Sequence, residues 1–557
     1  MAAAAARERD IVRNSSIDLD GLKSELNLTG PLFETAVDAN GQLKSLPADA
    51  ALAVSLHHGV GGSRLRVGFR TSEFDAETAT RLAAYHLRAL ELLVGDPTAS
   101  PRRQSLLSQE EVDYQVTALA GPGRELPDLR VHELFEQRVD AHPDAIAGRH
   151  LGEQWTYREL NERANQVART LLDSGVERET VVAVVTERNL GWMAAVVGIF
   201  KAGAVYLPIE PHFPPVRIEK TLARADCEVI LTEAGSTATL DEALEALPEA
   251  RKLLLTDAFE HEDVSNLGLD VELDQLAYIY FTSGSTGEPK GAMCEHAGMV
   301  NHMYAKIEDL GVREGEVVTQ IAPQCFDISL WQLVAPLLVG GCTLIVDQET
   351  ILQPERFVDL IVDSDVGVVQ VVPSYLEVLL TYLDHHPREL GSLHAVSVTG
   401  EALTLELAQR WFGSQSGIAL INAYGLTETS DDTNHEVMTE PPVGSVPLGP
   451  AVRNVTIYIV DEHLSPVPLG APGEITFSGM CVGRGYINDP ERTAQAYLDD
   501  PLRPGERLYR SGDFGRWRPD GKLEYLGRRD AQVKIRGFRI EIGEIENTLV
   551  QLDGIRQ

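Results

Sequence analysis

Leu160, Ala164, Val167, Ala168, Leu171 and Leu172 recur at helical spacing, and Ser174-Gly175 ends the stripe. Val181 to Thr186 is β-branched and apolar without alternation, so it predicts a strand buried on both faces. A second helix is predicted from about Leu190 to Ala202, and further buried strands at Val366–Val372 and His394–Val398. Helices alternating with buried strands predict an α/β fold with mostly parallel sheets and helices on their faces. From Val455 the pattern becomes strands separated by tight turns such as Pro519-Asp520-Gly521, which predicts an antiparallel section. Nearer the start, Leu65–Arg70 alternates, and Leu82, Tyr85, Ala89, Leu92 and Leu93 mark a helix over 77–93. Pro97 and Pro101 then break the pattern.

These patterns divide the 557 residues into a first stretch over 1–110, a linker over 111–130, a large region over 131–529, and a last stretch over 530–557. The last holds a strand at 532–535 and the start of a helix at Ile542. Composition adds exclusions. With 48 Lys plus Arg against 84 Asp plus Glu, the net charge is −36, which opposes nucleic-acid binding. No apolar run reaches the roughly 18 residues of a membrane span, and Met1 to Asp10 lacks the apolar core of a secretory signal. The 5 cysteines are scattered without a C-x-x-C, which fits reduced thiols in a cytoplasmic protein.

The strongest local chemistry lies in Tyr280-Phe281-Thr282-Ser283-Gly284-Ser285-Thr286-Gly287-Glu288-Pro289-Lys290-Gly291. Glycines let backbone approach an anion, while hydroxyls, amides and a lysine supply donors. It is a phosphate-binding loop by chemistry. It is not a Walker loop, because Pro289 stands at the second glycine and Gly291 at the Ser/Thr that would bind magnesium. A flexible surface turn is the plainer alternative.

This string resembles the signature of the adenylate-forming superfamily, specifically the adenylation domains of non-ribosomal peptide synthetases. The resemblance continues in order through Trp155-Thr156-Tyr157-Arg158-Glu159-Leu160, Lys201 to Ile209, Phe326-Asp327-Ile328-Ser329 and Asn422-Ala423-Tyr424-Gly425-Leu426-Thr427-Glu428, where Leu426 replaces a proline. It then runs through Gly473-Glu474, Arg484-Gly485-Tyr486, Tyr509-Arg510-Ser511-Gly512-Asp513 and the hinge motif Gly527 to Gly537. The resemblance implies a large fold of two parallel-type sheets plus an antiparallel section, with a truncated small C-terminal subdomain. It also implies activation of an amino acid by ATP as aminoacyl-AMP, with Mg²⁺, for loading onto the phosphopantetheine of a carrier protein in antibiotic-type peptide biosynthesis.

Residue by residue, the resemblance implies that Thr282, Ser283, Ser285, Thr286 and Lys290 hold the β and γ phosphates. It places Thr427 on the α-phosphate and Glu428 on Mg²⁺, which suits an ion that takes one or two carboxylates plus phosphate oxygens. Tyr424 would stack on adenine and Asn422 read its edge, with Gly400, Glu401 and Ala402 lining that pocket. Asp513 would accept from the ribose hydroxyls, and Arg528 would sit near ribose and phosphate. Asp327 would pair with the substrate α-amine, which favours an amino acid over an acyl or aryl acid and so disfavours a CoA ligase.

The side-chain pocket is expected from Asp327, Ile328, Trp331, Gln370, Ser397, Thr399, Ala423, Asp431 and Asp432. Two carboxylates beyond Asp327 would be costly to bury unpaired. This predicts a basic substrate: diaminobutyrate, ornithine, arginine or a capreomycidine-like residue, with Trp331 covering its cation. The alternative is that Asp431 and Asp432 face solvent in a polar loop. Family members carry a C-terminal N-G-K lysine that is absent after Glu546, which predicts poor adenylation by this polypeptide, either as a fragment or as one half of a split protein. A non-catalytic scaffold is the remaining alternative. Residues 15–110 resemble the end of a condensation domain; Gly62 replaces the aspartate of its H-H-x-x-x-D-G motif, so His57 and His58 are expected to be structural. An MbtH-like partner is a further expectation of the family.

Overall fold

The structure is a computed structural model. It describes residues 35–549 apart from 39–40, 42, 44, 48–49, 61, 97, 99, 101–103, 284–287, 531, 543–544 and 547–548. Two compact units divide at Gln109/Glu110. The first contains a sheet of Thr35–Asp38, Leu52–Gly59 and Gly62–Phe69, and the helix Ala76–Gly95 capped by Asp75. His57 meets Ser55 Oγ at 3.1 Å and His58 meets Ser63 Oγ at 2.9 Å, so both histidines serve a hairpin.

In the second unit, valine-rich strands build two sheets. One orders Gly485–Tyr486, Lys290–Glu295, Leu276–Thr282, Val205–Ile209, Val181–Val185, Val229–Thr232 and Arg251–Leu254; its last five strands are parallel. The other orders Asp431–Met438, Ala419–Leu426, Ala395–Val398, Val366–Val371, Val317–Gln320, Cys342–Ile345, Ile146–His150 and Glu153–Thr156, with antiparallel strands at its two ends only. One core joins them. It contains Val182 and Ala277 from the first sheet, Val318 and Val368 from the second, and helices including Tyr157–Asp173, Leu190–Lys201, His296–Asp309 and Ile328–Leu338. Tyr157–Asp173 starts at a reciprocal cap, Thr156 Oγ1 accepting from Glu159 N at 3.2 Å and Glu159 from Thr156 N at 2.8 Å.

Chain order determines where a cleft opens. From Val317–Gln320 the chain moves first to Cys342–Ile345 on one side, then to Val366–Val371 on the other. Ligands of open α/β sheets bind beyond the strand carboxyl ends at such a reversal. The loop leaving Gln320 carries Asp327, and the strand Leu276–Thr282 ends in the phosphate-type loop.

Val455–Val460, Gly473–Gly479, Tyr497–Asp499, Arg507–Trp517 and Leu523–Arg528 form the antiparallel sheet, closed by a turn in which Gly521 N donates to Arg518 O at 3.0 Å. The stretch 111–130 differs from the predicted linker. It begins within the helix Gln109–Asp113 and is pinned to this sheet region: Leu469 N donates to Glu111 at 3.1 Å, Gln115 to Val467 O at 2.9 Å, and Gly121 N to Val455 O at 2.8 Å. Its polar side chains satisfy backbone groups of the loop between Val460 and Gly473 instead of making a free tether. The helix predicted from Ile542 runs into positions outside the described residues. Among the described residues, no helix is long and apolar enough to cross a membrane.

Candidate functional site

Three groups of polar side chains make up the candidate site, around Glu428, Asp513 and Asp327. In the first, Glu428 occupies a short 3-10 turn, Thr427–Thr429, and is fully buried. Lys290 Nζ stands 3.4 Å from its Oε1, and Tyr486 OH donates to the same oxygen at 2.8 Å. Lys290 also faces the Tyr486 ring at 5.2 Å. Tyr486 carried no expected role, although it sits inside a matching motif. Its phenol and the Lys290 ammonium share one oxygen of the Glu428 carboxylate.

A second set gathers at Asp513, which is 4% exposed. Tyr424 OH donates to Asp513 Oδ2 at 2.6 Å, and Arg528 Nη1 donates to Oδ1 at 2.9 Å. Burial and the Asp513 charge push the Tyr424 phenol well above its ordinary range, so it stays a donor. Asn422 lies on the same strand face, two residues earlier, with its Nδ2 donating to Pro447 O at 2.8 Å. Glu401 accepts from Ser374 N at 3.0 Å and from Gly537 N at 3.3 Å, which ties the strand end to the hinge. Gly400 has φ +85°, and a Cβ there would lie 3.3 Å from Gly537 Cα, so glycine suits this close approach. Thr282 Oγ1 is buried with no hydrogen-bond partner among the described residues. Ser285 and Thr286 lie outside those residues.

The side-chain cluster begins at Asp327, which caps the helix Ile328–Leu338 by accepting from Ile328 N at 2.9 Å. Burial pushes its carboxyl up; hydrogen bonds from Thr427 and Ile328 oppose this, and the Asp432 and Glu428 charges add to it. Trp331 Nε1 donates to Gln370 Oε1 at 2.6 Å, and Gln370 Nε2 reaches Ser397 Oγ at 3.4 Å. Thr399 Oγ1 donates to Asp432 Oδ1 at 3.2 Å. Ala423 occupies the strand face opposite Asn422 and Tyr424.

Asp431 and Asp432 follow a tight reversal in which Ser430 and Asp431 have φ of 57° and 81°. The strands approach so closely that a Cβ on Gly425 would meet Asp431 O at 2.0 Å. Both aspartates are buried, which removes the solvent-loop alternative. The charge argument is corrected, however. Asp432 is not left unpaired: Lys306, itself fully buried, forms an ion pair with it. Lys306 Nζ also stands 5.0 Å from the Trp331 ring centroid, in the place expected for a substrate cation. Burial would raise Asp432, but Lys306, with His302 and His435, holds it well below the ordinary carboxylate range. Asp431 goes the other way: burial, Asp432 and Asp327 push it well above that range. Its Oδ2 is buried without a hydrogen-bond partner among the described residues.

Sequence reasoning missed Lys306, His302 and His435. Their helix and strand carry no motif, and a lysine at i+4 from a histidine reads as a solvated face. The available signal was the apolar company of Met299, Val300, Met303 and Ile307.

Comparison with known proteins follows the same outline. The model of the AMP-binding enzyme family matches residues 135–487. Tyrocidine synthase 3 of Brevibacillus parabrevis is 35% identical over 506 residues, covering 89% of this chain and 8% of that protein. A crystal structure of the non-ribosomal peptide synthetase FmoA3 in its α-methyl-L-serine-AMP bound form superposes with a TM-score of 0.77 at 26% identity, over 95% of this chain and 62% of that one. Holo-PA1221, a synthetase protein containing adenylation and PCP domains bound to a vinylsulfonamide inhibitor, gives a TM-score of 0.68 at 26% identity over 76% of this chain and 72% of that one. The chain thus spans a small part of the long synthetase it matches. With the matched region covering both parallel sheets and the elements that carry Lys290, Asp327, Tyr424 and Glu428, this chain belongs to the AMP-binding enzyme family, with non-ribosomal peptide synthetases among its homologues.

Proposed function

We propose that this chain activates an amino acid with ATP, forming aminoacyl-AMP and pyrophosphate for transfer to the phosphopantetheine thiol of a carrier protein. The difficulty is bringing a carboxylate to an anionic phosphate, which requires charge neutralisation and alignment. Thr282, Ser283 and Lys290 would cradle the terminal phosphates, with Ser285 and Thr286 continuing the loop. Thr427 would meet the α-phosphate. Tyr424, Asn422 and the Gly400-Glu401-Ala402 segment would hold adenine, while Asp513 and Arg528 would hold ribose. A single buried carboxylate, Glu428, fits Mg²⁺, which would neutralise phosphate charge when bound.

The observation that carries this reading is convergence. Residues separated by up to 138 positions, Lys290 with Glu428, are in contact at 3.4 Å, and Tyr424 and Arg528 meet on Asp513 at 2.6 and 2.9 Å.

Asp327 would receive the α-ammonium, which favours an amino acid over an acyl or aryl acid. Asp431 is the remaining buried carboxyl without an internal cation, and it would receive a basic side chain such as that of diaminobutyrate, ornithine, arginine or a capreomycidine-like residue. The names of FmoA3 and holo-PA1221 support the same reading, one bearing an aminoacyl-AMP and the other a PCP domain. The first unit is read as the end of a condensation domain. Amino-acid-dependent ATP–pyrophosphate exchange over a substrate panel tests the whole reading. Preference for a basic amino acid supports it, preference for leucine or phenylalanine defeats the Asp431 assignment, and a CoA-dependent product without amino acid defeats the reaction.

A further inference from the structure

The helix His296–Asp309 supplies a charge cluster that the reaction above leaves unexplained. Lys306 and Asp432 form an ion pair with side chains 0% and 1% exposed. His302 Nε2 lies 3.7 Å from Asp431 Oδ2 and 3.9 Å from Asp432 Oδ2. His435 Nε2 lies 3.8 Å from Asp432 Oδ2, while its Nδ1 is held 2.7 Å from Asp309. The helix is pressed onto the turn before Asp431: a Cβ on Gly298 would fall 2.3 Å from Ser430 Oγ.

Burying a lone lysine or a lone carboxylate is costly, and removing one partner of a buried pair leaves the other uncompensated. Lys306 therefore has a definite consequence for what enters the pocket. Its ammonium lies over Trp331 and pairs with the carboxylate that Thr399 also bonds. The donor atoms of His302, Asp431 and Asp432 lie within 4.8 Å of one another, a spacing a metal ion could bridge, but the Lys306 ammonium already occupies Asp432 Oδ2.

The geometry points to Lys306 as a specificity-determining residue: a built-in counter-cation that takes up the charge of Asp432, leaves Asp431 as the one side-chain acceptor, and so limits the accepted amino acid to a single side-chain cation or donor. This deepens the amino-acid reading above and rests on it. Asp432 and Asp327 are the carboxylates that act on Asp431, His302 on the helix of Lys306 faces both Asp431 and Asp432, and His435 faces Asp432. His302, held neutral by burial with its pKa lowered to about 4, adds no competing positive charge near neutrality. The count is then one lysine for one aspartate, with one aspartate left over.

The test is isothermal calorimetry of the whole chain with ATP and with the panel of amino acids, on wild type, Lys306→Met, and Lys306→Met combined with Asp432→Asn. The expected result is a tenfold or larger loss of affinity for the preferred amino acid in Lys306→Met, a changed order of preference, and ATP affinity within about twofold of wild type. The double variant, which removes both charges, recovers most of the loss and the original order. Methylammonium or ethylammonium added to Lys306→Ala restores binding several-fold by refilling the cation position. The inference is overturned if Lys306→Met keeps the wild-type order and affinity, if the double variant binds no better than the single one, or if zinc binds the wild-type cluster. If the single variant does not fold, the double variant and the amine-treated Lys306→Ala still decide. A wild-type chain that binds no amino acid removes the amino-acid reading and this one together, and is seen before any variant is made.

Discussion

The proposed nucleotide side and the proposed side-chain pocket treat buried charge in opposite ways. Around Glu428 and Asp513, each carboxylate faces a cation, Lys290 from another part of the chain or Arg528 from the paired strand, and a tyrosine hydroxyl, Tyr486 or Tyr424. These partners are the ones a triphosphate and a ribose would draw on. Around Asp431 and Asp432 the compensation is unequal: one carboxylate has its own lysine and the other has none. The first arrangement suits chemistry common to every substrate. The second suits discrimination, because a single uncompensated group is a sharper filter than a neutralised set.

The largest effects should break the nucleotide side. Lys290→Ala or Glu428→Gln should lower pyrophosphate exchange by about 10²–10³, the usual size for removing one electrostatic contact to developing charge. Exchange within a few-fold of wild type would show that Lys290 and Glu428 are only a structural ion pair. Next comes Asp327→Asn, which takes away the proposed partner of the α-ammonium. Losing one member of a buried pair costs about 3–5 kcal/mol, so amino-acid affinity should fall by about 10² or more while ATP affinity holds.

How much of this contrast was legible follows from where the information sits. Lys290, Tyr424, Glu428 and Asp513 belong to contiguous strings in which glycines, hydroxyls and acids stand at fixed offsets, so their chemistry shows in one dimension. Strand and helix order was legible from periodicity, with Val181–Val185 and Tyr157–Asp173 close to their predicted limits. Lys306 was not legible. Its role depends on a helix crossing behind a turn 125 residues later, and nothing local to Lys306 shows that Asp432 will face it. Counting carboxylates in the pocket therefore left out the cation that the chain itself supplies to Asp432. The 111–130 stretch differs for a related reason: its polar side chains look solvated until the loop they bond to is known.

The pocket's asymmetry makes a proton-linked prediction. Asp431 is raised well above the ordinary carboxylate range, so the folded chain holds a proton there that the unfolded chain has lost. From the ordinary range upward, stability should fall as pH rises through the raised value, and this term runs opposite to that of Asp432, whose lowered carboxyl adds stability that is lost as the solution becomes acidic. A bound side-chain cation would ionise Asp431. Below the raised value, amino-acid binding should therefore release up to one proton and strengthen by up to about tenfold for each unit that the pH rises. Calorimetry in buffers of different ionisation enthalpy reads the proton directly. Asp431→Asn should abolish the release, and proton uptake in wild type would reverse the assignment.

The smallest effect separates orientation from charge. Tyr486→Phe keeps the ring that faces Lys290 at 5.2 Å and removes only the hydroxyl that donates to Glu428 at 2.8 Å. A hydrogen bond to a charged group contributes about 1.5–3 kcal/mol, less where another partner can take its place. Lys290, already 3.4 Å from the same oxygen, is such a partner. Exchange should fall about tenfold or less, with amino-acid affinity and preference unchanged, because among the described residues that phenol meets Lys290, Glu428 and Tyr509. A drop as large as that of Glu428→Gln would mean that the hydroxyl, and not the lysine, holds the carboxylate in its working position. The nucleotide side would then depend on a single neutral donor, much as the pocket depends on a single lysine.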